Sequence, residues 1–126
     1  MMSHRASMSD IVEEMDSRTL AFIKKYLTSF TRWDLIRFFA ENIHTYDTAE
    51  GLAKHTGRPV SLVQQEAANL AADGILTVSA EDENRVYALT LDPDVRRIAS
   101  ELVQAAQERT FRMKLVYHIL RAGGQQ

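Results

Sequence analysis

The stretch from Asp47 to Thr90 limits the fold more than any other part of the chain. It reads DTAEGLAKHTGRPVSLVQQEAANLAADGIL and then TVSAEDENRVYALT. Asp47 and Glu50 stand at capping-box spacing and open a helix over 48–56, with Leu52 and Ala53 facing inward. Gly57 suits a left-handed helix cap, and Arg58-Pro59 turns the chain. Pro59 in a first helical turn, or Ser61 capping with Gln64 three residues on, starts a second helix. Its apolar stripe is Val60, Val63, Ala67, Leu70 and Ala71, and Gly74 stops it. Ile75–Ser79 and Val86–Leu91 are β-rich, and the polar run EDENR between them predicts a hairpin loop. The expected order is two short helices followed by two short strands.

The flanks predict more helix. Residues 1–16 read as an N-terminal arm or short helix, with Ile11, Val12 and Met15 as its apolar stripe. Ser17 is placed to cap a helix over 18–30, where Leu20, Ile23, Leu27 and Phe30 recur at helical steps. Thr31 and Asp34 have near capping-box spacing ahead of a helix over 32–43. That helix carries Trp33, Leu35, Ile36, Phe38, Phe39, Ala40 and Ile43, too many large apolar groups for one stripe. Either the extra side faces a partner subunit or helix 18–30 covers it. Asp92-Pro93 starts a long C-terminal helix over 93–121, with a kink or register change expected near 107–110. Residues 122–126 form a tail. The fold class is therefore mostly α with a small β-hairpin, in one domain over 17–121.

Composition narrows the chemistry. The 126 residues suit a single domain. The absence of cysteine excludes disulfides, thiolate metal sites and thiol redox sensing. No apolar run approaches the roughly 20 residues of a membrane span, and MMSHRASMSD lacks the apolar core of a secretion signal. A cytoplasmic protein without membrane contact is expected. His4, His44, His55 and His118 are scattered, so no metal site is expected. With no nucleophile motif and no glycine-rich phosphate loop, neither catalysis nor a cofactor is expected. The formal net charge is −2. Duplex DNA attracts protein largely through Lys and Arg contacts to phosphate, so any positive face must be local.

The spacing of Gly57, Val63, Leu70 and Gly74, with an aliphatic pair after the last glycine, resembles the helix-turn-helix of winged-helix transcriptional regulators. Glu83-Asn84-Arg85 followed by Val86-Tyr87-Ala88-Leu89-Thr90 resembles the wing of MarR-like regulators, and its Tyr-x-Leu part is similar to ArsR-like ones. The resemblance implies a helix-turn-helix over 48–73 and a wing over 75–91. It also implies a homodimer held by its terminal helices on a near-palindromic double-stranded DNA site. Helix 60–73 would lie in the major groove, and Arg85, steadied by Glu83, would reach the minor groove.

The outward face of helix 60–73 is expected to show Ser61, Leu62, Gln65, Glu66, Asn69 and Ala72. Gln65 and Asn69 can each bond an adenine edge in two places, and Leu62 can touch a thymine methyl. Arg58, Lys54 and His55 precede the helix, and Lys24, Lys25, Arg32 and Arg37 are earlier candidate cations. The helix itself holds no Lys or Arg, and Glu81, Asp82 and Glu83 crowd the hairpin tip. That polarity supports a competing class, a winged-helix protein-interaction or adaptor module without DNA. Arg96-Arg97, in the first turn of the last helix, read as a solvated pair. No residue set announces a small-molecule effector.

Overall fold

The computed structural model describes residues 16–81 and 84–123. The expected arm at 1–15, the acids Asp82 and Glu83 and the last three residues of the tail lie outside the described residues. Among the described residues, six helices and three strands follow in the order α1 (Ser17–Tyr26), α2 (Phe30–Glu41), β1 (Tyr46–Asp47), α3 (Ala49–Thr56), α4 (Val60–Ala72), β2 (Leu76–Glu81), β3 (Asn84–Leu89), α5 (Pro93–Ala105) and α6 (Arg109–Arg121). The chain is thus mostly helical with one small antiparallel sheet, ordered β1-β3-β2. No helix among the described residues is long and apolar enough to cross a membrane.

Local chemistry sets most of the boundaries. Asp16, not Ser17, caps α1 by accepting from the Arg18 N–H. The stripe through Phe30 predicts one helix over 18–30, but α1 ends at Tyr26. The Ser29 hydroxyl accepts the Arg32 N–H and starts α2 there, ahead of the expected Thr31. Thr48 caps α3 by accepting from Gly51, while Asp47 accepts the Thr48 N–H from outside the helix. Gly57 ends α3 at φ 72°, the left-handed conformation expected of it. Asp92 caps α5 and Pro93 takes its first position.

Three expectations are corrected. The helix over 93–121 is two helices, fully broken between Ala105 and Arg109 where a kink or register change near 107–110 is expected. No glycine or proline makes that break. The Arg112 side chain caps it, donating from Nη1 to the carbonyls of Ala106 at 2.8 Å and Gln107 at 3.0 Å. It satisfies carbonyls that a helix end leaves without partners. The hairpin connection is shorter than EDENR, because Glu81 closes β2 and Asn84 and Arg85 open β3. A third strand also appears, since Tyr46 and Asp47 pair with Ala88 and Tyr87. Two residues carry too little pattern to announce a strand.

One apolar core joins all the helices. Trp33, Leu35, Ile36 and Phe39 of α2 are buried within the same chain. The cover comes from α5, α4 and α3 rather than from the preceding helix. A partner subunit is not needed to bury α2. Phe111, Leu115 and Ile119 bring α6 back to the core, with Phe111 1% exposed. The opposite side of α6 leaves Met113, Val116, Tyr117 and Leu120 largely exposed.

Candidate nucleic-acid interface

The α3–α4 pair and the β2–β3 hairpin form one continuous surface. Helix α4 buries Val63, Ala67 and Leu70. Those residues define the inward side, and Ser61, Gln64, Gln65, Asn69 and Ala72 are exposed on the other. Leu62 is only half-buried at the flank, and Val60 sits exposed at the start of the helix. Glu66 departs from the expected outward face altogether, being 8% exposed. Its carboxylate turns toward α2, where Arg32 Nε donates to it at 2.8 Å and the Ser29 hydroxyl at 3.3 Å. The exposed polar side is therefore amide and hydroxyl, without an acid at its middle.

Sequence spacing could not show that four of the nominated cations, Arg58, Arg37, Arg32 and His55, are engaged by the protein's own acids. Arg58 Nε lies 2.7 Å from Asp34 Oδ2, a partner 24 residues away, and Arg37 reaches the other oxygen of Asp34 at 4.0 Å. Arg32 pairs with Glu66 and also lies 3.5 Å from Asp73. His55 stands 3.7 Å from Asp47. Arg96 is not simply solvated, since its Nε donates to the Thr90 carbonyl at 2.7 Å. Its neighbour Arg97 faces Asp16 at 3.4 Å.

Arg85 is placed differently. It is exposed near the start of β3, and among the described residues it meets no acid. The expected steadying contact from Glu83 falls outside the described residues. Across from Arg85, a cleft of about 310 Å³ separates β3 from the helix pair. Its walls are the first turn of α3 (Thr48 to Glu50), Gln64 and Ala68 of α4, and Asn84, Arg85 and Tyr87 of β3. The cleft brings Gln64 and Arg85 to one site. Spacing alone marked Gln64 only as a capping partner for Ser61. A signal for its outward place was present, because it lies one residue past buried Val63 and three before buried Ala67.

A second surface lies on α6. Met113, Val116, Tyr117 and Leu120 with Arg109 and Arg112 line a shallow, mostly apolar groove. The Arg121 guanidinium lies 5.6 Å from the Tyr117 ring centre at its end.

No family model matches the chain, and neither a curated protein nor a solved structure matches it significantly.

Proposed function

We propose that this chain is a winged helix-turn-helix protein that binds duplex DNA as a homodimer. One observation carries the reading. Gln64 of α4 and the exposed Arg85 of β3 line the same open cleft, and Ser61, Gln65 and Asn69 are exposed on that same helix. Side-chain amides and hydroxyls suit base edges in a major groove. A guanidinium on an adjoining hairpin suits the narrower groove and its phosphates. The dimer is assigned to α6, whose apolar groove would close against its symmetry mate. Two such units would present two α4 helices to half-sites about one turn of DNA apart.

A second reading is favoured by a different observation. Arg32 and Arg58 are held by Glu66 and Asp34, so the surface beside α4 carries few cations. A protein partner on α4 and the hairpin, without DNA, would suit that surface.

A mobility-shift titration against mixed-sequence duplex at several salt concentrations separates the two. Binding that weakens as salt rises, and further on Arg85→Ala, supports the DNA reading. No shift at the lowest salt overturns it in favour of the adaptor.

A further inference from the structure

We propose that residues 10–15, the acidic segment ahead of α1, dock on the cleft between α1 and α6. Leu20, Ile23 and Lys24 of α1 face Phe111, Lys114 and Leu115 of α6 across that cleft. Its floor is apolar, and no acid lines it. Helices α1 and α6 hold no Asp or Glu anywhere along their lengths. Lys24 and Lys114 have no acidic partner among the described residues. About 110 Å³ is open there, well short of the roughly 300 Å³ at which small-ligand sites begin. A space of that size suits aliphatic side chains better than a free ligand.

The segment DIVEEM supplies both halves of the match. Ile11, Val12 and Met15 are apolar, Asp10, Glu13 and Glu14 are acidic, and no cation stands among them. Residues 10–15 lie outside the described residues, but the point from which they depart is fixed. Asp16 caps α1 with φ −54° and ψ 138°, so the chain before it does not continue the helix. A residue just ahead of an N-cap commonly packs on the fourth residue of its helix. Here those two are Met15 and Leu20, and Leu20 lines the cleft. Lys24 lies one turn further along, about 6 Å. Residues 10–14 span at most about 18 Å, enough to carry their acids to Lys24 and Lys114. So short a tether gives an effective concentration on the order of millimolar, and weak contacts then suffice. The same surface of a second copy would instead set lysine against lysine. Docking there fastens α6, which packs on no single element as extensively as the other helices do. None of this depends on DNA binding.

The chain has no cysteine, so Ser9→Cys carries a single nitroxide label on the full chain. Amide NMR then reads which signals the label broadens. Broadening strongest at Lys24, Phe111, Lys114 and Leu115 is expected, whereas an undocked tether broadens only the start of α1. Lys24→Glu with Lys114→Glu, neither of them buried, should abolish the broadening on α6 and leave the rest of the spectrum in place. Ile11→Asp with Met15→Asp should do the same from the segment's side. No broadening on α6 overturns the proposal, as does broadening that either paired variant leaves unchanged. A mixture of labelled chain with unlabelled, isotope-enriched chain covers the other occupant. Broadening in that sample means a segment crossing between copies, and the proposal falls.

Discussion

Arg32 and Glu66 are joined across the interior face of α4, with Nε to Oε1 at 2.8 Å and the two side chains 14% and 10% exposed. The pair fixes how α4 sits against α2, and so which side of α4 is left for a partner. Removing one member leaves a poorly hydrated charge. Arg32→Ala is expected to cost about 3–5 kcal/mol, as breaking a buried pair does. Arg32→Met with Glu66→Leu should recover most of that loss. Denaturant unfolding measures both, and an Arg32→Ala variant as stable as the parent would refute the role.

On the DNA reading, α4 and β3 contribute in different ways. Gln65→Ala should cost about 1–3 kcal/mol on the preferred site and little on unrelated duplex, because it removes base readout. Arg85→Ala should weaken all sequences and lower the slope of log affinity against log salt by about one. Fluorescence-anisotropy titrations at three or more salt concentrations separate the two. Equal losses on every sequence for Gln65→Ala would remove it from base reading.

The exposed row on α6 predicts self-association. The parent chain should have the mass of a dimer by light scattering at micromolar concentration. Val116→Glu with Leu120→Glu, both on the solvent side of the helix, should give a monomer of unchanged helical content. A parent chain that is already monomeric would move the symmetric-site argument off α6.

Gly57 holds φ at 72°, and a Cβ built there meets nothing within 4 Å. Gly57→Ala therefore costs only the backbone strain of a left-handed residue, about 1–2 kcal/mol. Gly57→Asn should cost less, since asparagine tolerates that region. Urea unfolding of the two variants gives the comparison, and a neutral Gly57→Ala would contradict the turn geometry.

Arg112 caps the break after Ala105. Arg112→Ala removes the donor to the Ala106 and Gln107 carbonyls. It should cost about 1–3 kcal/mol and loosen α6, because those carbonyls lose a charged partner. Hydrogen exchange of the α6 amides should quicken more than that of α2. Uniform protection across both helices would argue against it.

The sequence by itself determined the elements that a few neighbouring residues can specify. Gly57 and Gly74 stop helices because only a residue without Cβ takes a positive φ cheaply. Asp92-Pro93 starts one because the cap and the fixed φ act within a single turn. The Val63, Ala67 and Leu70 stripe marks the inward side of α4 because helical period is local. Only the tertiary structure decided the charge of the candidate surface. The pattern puts Glu66 on the outward face, yet it is buried and α2 brings Arg32 to it from 34 residues away. Arg58 stood ready for a partner in the sequence, yet Asp34 takes it. The strand at Tyr46–Asp47 arises in the same way, from a distant β3, whereas the shifted stripe near 107–110 already marks the break within 93–121. Ion pairs and strand pairing over such separations depend on how whole elements dock, and local spacing does not encode that.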